Sequence, residues 1–132
     1  MVGQRFKPAE HVRRRVDFER AYSSGSRIQA RYMTVFVVPN GGAIARLGVA
    51  ATRKLGPAID RNRAKRLARE VFRRNKPVEG LDVVVVPRRE MLDALFTSLE
   101  ADYRAALESR HTPAASARRP RRRGAPRRDS RV

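Results

Sequence analysis

Arg61, Asn62, Arg63, Lys65, Arg66 and Arg69 fall within nine residues of one another, in the stretch DRNRAKRLAREVFRRN at residues 60–75. None of these side chains is a nucleophile or a general acid at neutral pH. Guanidinium and ammonium groups at this density bind anions, and a row of them suits a row of phosphates better than a single small ligand. A second set with binding chemistry is Phe18 and Tyr22, an aromatic pair at i, i+4, together with Thr52, Arg53 and Lys54. Aromatic faces beside cations are the usual equipment for single-stranded nucleic acid, because every base offers a face to stack. Core packing is the other reading of Phe18 and Tyr22, and their spacing alone favours it. Acids occur singly, with Asp60 placed as a cap, Glu70 as a helix-face partner and Asp82 at a strand start. No Ser/His/Asp set or carboxylate pair suggests that the chain itself breaks a bond. His11 and His111 stand alone and there are no cysteines, so neither a metal-ligand spacing nor a disulfide framework is present.

These side chains need elements to hold them. Ala64, Leu67, Ala68, Val71 and Phe72 recur at i, i+3, i+4, i+7, i+8, which predicts a helix over 60–75 with one buried stripe and a cationic ridge opposite. Asp60 is suited to cap it, and Lys76-Pro77 ends it. Residues 60–76 carry a net +6, with cations even at the N-terminal end, where the helix dipole disfavours them. A solvated charged face is the plain alternative, but such faces usually mix signs at i, i+4. Asp17 could cap a short helix over 18–24, closed by Gly25 in a left-handed conformation. Residues 27–38 alternate β-branched and aromatic residues and predict β structure, with a short strand before a longer central one. Residues 46–54 predict a strand with Leu47, Val49 and Ala51 on one face. On the other, Gly48, Ala50, Thr52 and Lys54 leave a shallow groove. The apolar run 81–86 predicts a buried strand parallel to an earlier one. Residues 90–110 predict a final packing helix whose stripe includes Met91, Leu92, Leu95, Leu99, Tyr103 and Leu107.

With 132 residues the chain has room for one core, and its formal charge is +18. Residues 112–132 contribute a net +7 and the remainder +11, so the body is basic without the tail. Arginine supplies 27 of the 31 cations, which suits phosphate recognition but equally reflects genomic base composition. The expected organisation is a basic flexible lead-in over 1–15, an RNA-binding domain over 16–111 and a disordered Arg-rich tail over 112–132. No run approaches the roughly 18 apolar residues of a membrane span, and the first residues lack a signal-peptide core. A soluble cytoplasmic protein with no small-molecule substrate is expected.

Four segments, VDFERAY, GSRIQARYMTVFVVPN, RLGVAATRKLGPAIDRNRAKRLAREVFR and LDVVVVPR, in this order resemble the protein subunit of bacterial ribonuclease P over about residues 12–110. The specific part is Arg61-Asn62-Arg63 followed by Lys65-Arg66-Leu67, after a Lys-Gly-containing turn and before an apolar strand. The resemblance implies an α+β sandwich, αβββαβα, with a four-stranded sheet, three helices and a left-handed βαβ crossover. It implies a partner, the ribonuclease P RNA, which cleaves the 5′ leader from precursor tRNA with Mg²⁺ bound mainly by the RNA. By motif position it implies contacts to that RNA from Arg61, Asn62, Arg63, Lys65, Arg66 and Arg69. Leader contacts would come from Phe18, Tyr22, Thr52, Arg53 and Lys54. Ala50, Thr52 and Tyr22 depart from the family's usual Ser, Ser and Phe. Without the resemblance, a ribosomal or general RNA-binding protein with no processing role fits the charge as well.

Overall fold

Val83, Val84 and Val85 are all buried, which requires their strand to be covered on both faces. In the computed structural model, which describes residues 8–77 and 79–109, the chain runs α1 (Arg15–Ser24), β1 (Ser26–Gln29), β2 (Met33–Pro39), β3 (Arg46–Val49), α2 (Ala58–Arg74), β4 (Leu81–Pro87) and α3 (Phe96–Ser109). The strands form one mixed sheet in the order β1-β2-β4-β3. β4 lies between β2, to which it is antiparallel, and β3, to which it is parallel through the α2 crossover. This is the α+β architecture and element order expected.

The two faces of the sheet are built differently. On one, Met33, Val35, Val37, Leu47, Val83 and Val85 pack against Ala64, Ala68, Val71 and Phe72 of α2 and against Leu99, Tyr103, Ala106 and Leu107 of α3. The predicted stripe of α2 is thus the buried one, with Leu67 packed at its edge. On the other face α1 is the one described helix that covers the sheet, setting Ala21 against Val38 and Val84, with Phe18 and Phe36 beside them. A 3-10 turn at Pro8–Glu10 and a parallel bridge from His11 to Leu47 extend the sheet beyond β3. Val12 is buried there and its N–H donates to the Leu47 carbonyl at 2.8 Å. Residues 8–12, expected in a flexible lead-in, therefore dock on β3. Residues 1–7 and the tail at 110–132 lie outside the described residues.

Local expectations fail where a side chain has a better use. Asp17 is not a cap: α1 starts at Arg15, and the Asp17 carboxylate sits 3.5 Å from Arg46 and 3.7 Å from both Arg14 and Arg20. Asp60 is also not a cap, because Pro57 ends extended and its carbonyl accepts from the N–H groups of Asp60 and Arg61. Asp60 instead lies in the first turn, where its charge still suits the dipole. Gly25 is extended, at φ −81°, rather than left-handed. Its lack of a side chain matters for closeness: a Cβ would lie 2.5 Å from the Ala21 carbonyl oxygen and 3.0 Å from that of Val37. The strand expected over 46–54 stops at Val49, since the chain turns through a 3-10 segment at Arg53–Leu55 that sinks Leu55 into the core. The last helix is split: Met91 and Leu92 are buried in a 3-10 segment, Ala94 is extended, and Leu95 is 73% exposed.

α1 buries only Ala21 fully, so apolar contact alone would hold it weakly. Asp82, with no solvent exposure, supplies the rest. It accepts two hydrogen bonds from Arg46, both at 2.7 Å, and one each at 3.0 Å from Arg20 of α1 and from Asn40. Burial pushes the Asp82 carboxyl up, but the hydrogen bonds from Arg46, Asn40 and Arg20 and the Arg46 charge outweigh it and hold it below the ordinary carboxylate value. A carboxylate held low stabilises the fold above its unfolded pKa and loses that contribution as pH falls through the folded value. D82N should therefore cost about 2–4 kcal/mol at pH 7, below the loss for a wholly desolvated pair because both arginines stay partly solvated. Urea denaturation of both proteins from pH 7 to pH 3 should show that gap closing in acid; a gap that persists unchanged would argue against a charge-based anchor.

Candidate nucleic-acid interface

Antiparallel and parallel pairing place Arg27, Phe36, Val84 and Gly48 in one row across the sheet, on the face that α1 covers. The next row, Gln29, Thr34 and Val86, continues this face, and Ala50 extends it by donating its N–H to the Val85 carbonyl. Thr34, Ala50 and Val86 are only half-buried. The floor is small or apolar, and one wall is the edge of α1.

Phe18 reaches from that wall over Gly48: a Cβ on Gly48 would lie 2.8 Å from the Phe18 ring and 3.0 Å from Val12. The ring thus packs, as the core-packing reading expects, and it is only half-buried, so part of it stays open to solvent. Tyr22 is 43% exposed, 6.4 Å from Phe18 between ring centroids, and set edge-on to Phe36 at 5.0 Å. Phe36 was not among the candidate residues. Its parity with Thr34 and Val38 along β2 would have placed it beside the aromatic pair once α1 was known to cover that face.

Below Phe18 a cleft of about 340 Å³ is lined by His11, Val12, Arg13, Phe18, Leu47, Gly48, Val49, Lys65 and Arg69. The cationic motif therefore divides by helical position. Lys65 and Arg69, one turn apart on α2, turn toward the cleft and Phe18. Asn62 and Arg66 are exposed on the outer ridge. Arg63 turns the other way and donates to the Leu92 carbonyl at 2.7 Å. Arg61 donates to the Gly56 carbonyl at 3.0 Å, tying the start of α2 to the preceding turn. Thr52, Arg53 and Lys54 are exposed on that turn rather than at a strand edge. Arg89, a cation not singled out from sequence, braces the same turn by donating to the Leu55 carbonyl at 2.6 Å. Farther along α2, Arg73 and Arg74 both bond Glu70, and these hydrogen bonds hold its carboxyl below the ordinary value. The ridge is thus partly charge-compensated at its C-terminal end, where one Glu faces two Arg, and uncompensated around Asn62–Arg69.

Among the described residues, no group of three or more His, Cys, Asp or Glu side chains could hold a metal ion. No described helix is long and apolar enough to cross a membrane.

Comparison with known proteins bears on the chain as a whole. The sequence profile of the family described as Ribonuclease P matches residues 6–110. A ribonuclease P protein component from Thermotoga maritima is 42% identical over 88 residues, covering 65% of this chain and 75% of that protein. One from Desulfovibrio desulfuricans is 38% identical over 115 residues, covering 80% and 88%. The solved structure of the RNase P protein from Thermotoga maritima superposes with a TM-score of 0.67 at 35% identity, covering 75% of this chain and 96% of that one.

The cleft's dependence on a glycine floor gives a direct test. G48A should displace the Phe18 ring and cost about 1–3 kcal/mol through overpacking. Its affinity for a single-stranded RNA oligonucleotide, measured by fluorescence anisotropy on folded protein, should drop several-fold; unchanged affinity would place strand binding elsewhere.

Proposed function

The chain belongs to the ribonuclease P protein family, and on that premise we propose how its surfaces divide the work of removing the 5′ leader from precursor tRNA. The observation that carries the reading is the open sheet face beside α1, where Phe18, Tyr22 and Phe36 cluster, together with the cleft at the β3 edge that brings Phe18 to Lys65 and Arg69. Its shape suits one extended strand. Bases stack on the rings above the Thr34, Ala50 and Val86 floor, while phosphates follow the cations.

Asn62 and Arg66 on the outer ridge, with Arg61 and Arg63 at its flanks, face away from that slot and engage the ribonuclease P RNA through phosphate contacts. Thr52, Arg53 and Lys54 lie on the turn that leads into α2 and meet the strand as it leaves the sheet floor. The RNA subunit with its Mg²⁺ carries out the hydrolysis, leaving a 5′-phosphate on the tRNA. The protein's part is binding: it adds leader affinity and cationic charge near a site crowded with phosphates, so fewer metal ions are needed to offset repulsion. This work is done in the cytoplasm, where the tRNA precursor is made.

Reconstitution tests this. With a bacterial ribonuclease P RNA at low Mg²⁺, the protein should accelerate precursor-tRNA cleavage and lower the Mg²⁺ midpoint, and it should cleave nothing without the RNA. An identical Mg²⁺ midpoint with and without protein would contradict the reading.

A further inference from the structure

His11 has no place in the division of labour above, yet it lies in the cleft wall beside the very cations that face the strand. Its backbone is fixed by the bridge to Leu47, and the next residue, Val12, is buried. The imidazole is therefore presented from a rigid edge of the sheet rather than from a loose arm. Arg13 stands two residues on, and Lys65 and Arg69 approach from α2. Three positive side chains and one imidazole, from two segments distant in sequence, meet at the end of the cleft beneath Phe18.

We propose that His11 is a proton-linked phosphate contact: a backbone phosphate of the bound RNA strand sits among His11, Arg13, Lys65 and Arg69, and binding takes up a proton on the imidazole. The proposal rests on the strand-binding reading of the cleft and adds to it a residue and a pH dependence.

The charges around His11 decide the direction. Arg13 on its own segment and Arg69 on α2 oppose its protonation, and Lys65 of α2 lines the same cleft. Glu10, the acid next to it, favours it, but Glu10 is paired with Lys76 at 3.0 Å. β3 contributes only apolar residues and glycine to this wall, namely Leu47, Gly48 and Val49. Burial, then the charges of Arg13 and Arg69, hold the imidazole below its ordinary value, so it is mostly neutral in the free protein at pH 7. A phosphate brought between these cations offsets their repulsion and accepts a hydrogen bond from an imidazolium, and both effects raise the pKa of the complex. Binding that raises a pKa must itself strengthen as pH falls through the bound-state value, levelling off below the free-state value. A rise of one unit corresponds to about a tenfold gain in affinity.

The test uses the full-length protein with a fluorescent precursor tRNA carrying an oligouridine leader, whose bases do not titrate near neutrality, and mature tRNA as control. Dissociation constants are measured from pH 8 to pH 5.5 at constant ionic strength. For wild type, precursor affinity should rise about tenfold across this range. H11Q should stay at the weak high-pH level and H11R at the tight low-pH level, both nearly flat. Because His111 is the only other histidine, H11Q also controls for the tail. A wild-type curve with the same pH slope as H11Q overturns the proposal, as does a pH-flat wild type that still prefers precursor over mature tRNA. Loss of that preference in wild type at every pH would instead overturn the strand-binding reading beneath it. Circular dichroism on both variants separates a binding defect from an unfolded chain, and H11R, which keeps a charge at this position, must bind tightly at pH 8 for the proposal to stand.

Discussion

A carboxylate sealed from solvent sits near the start of β4, and side chains from three other places in the chain converge on it. An ionised group in that position is tolerable only when its oxygens are fully engaged, because its desolvation would otherwise cost several kcal/mol. Arg46 meets both Asp82 oxygens from the neighbouring strand, Asn40 closes the β2–β3 turn onto it, and Arg20 reaches down from α1. Asp17, one turn before Ala21 on α1, joins the same cluster through Arg46 and Arg20. The result fixes where α1 lies across the sheet. Ala21 and Gly25 let the helix come close, and the ion pairs keep it from sliding. Phe18 and Tyr22 are then set over the middle of the sheet face, one row along from the anchor.

Once α1 is placed, the cleft follows from what is missing. Gly48 leaves room for the Phe18 ring, and Ala50 and Thr34 leave a low floor beyond it. The opposite sheet face has no such gap, since α2, α3 and the 3-10 segment at Arg89–Asp93 fill it with Phe72, Tyr103, Leu99 and Met91. Charge is distributed on the same plan. Glu70 offsets Arg73 and Arg74 at one end of α2, while the segment from Arg61 to Arg69 is left in excess. That excess divides between a side facing the cleft and a side facing away, which gives one helix two cationic surfaces. A helix with its cations on a single narrow line would have only one.

Much of this was legible from residue patterns. The stripe Ala64, Leu67, Ala68, Val71 and Phe72 named the buried side of α2, and the alternation along 27–38 and the apolar run at 81–86 named the strands. Of the small residues expected to line a groove, Gly48 and Ala50 lie on the face that α1 covers, whereas Thr52 and Lys54 lie past the end of β3. The misreadings share one cause: local rules assign a polar side chain to the nearest backbone, whereas the folded chain gave it a distant partner. Asp17 read as a cap but belongs to the cluster that joins α1 to β3 and β4; Asp82 does stand at the start of its strand, and what the pattern did not show was its place in that same cluster. Gly25 read as a left-handed stop but serves a close approach. Phe36 and His11 could not be assigned to the interface from pattern, because their roles depend on which sheet face α1 covers and on the docking of residues 8–12.

The central claim is that the leader of precursor tRNA lies between α1 and the open sheet face. The chain has no cysteine, so a single one can be introduced for site-directed cross-linking without background. A photoreactive probe on T34C, at the floor of the slot, should cross-link leader nucleotides of precursor tRNA in the reconstituted holoenzyme and should yield nothing with mature tRNA. The same probe on R104C, exposed on α3 behind the sheet, should not reach the leader. Leader cross-links from position 104 with none from position 34 would contradict the account.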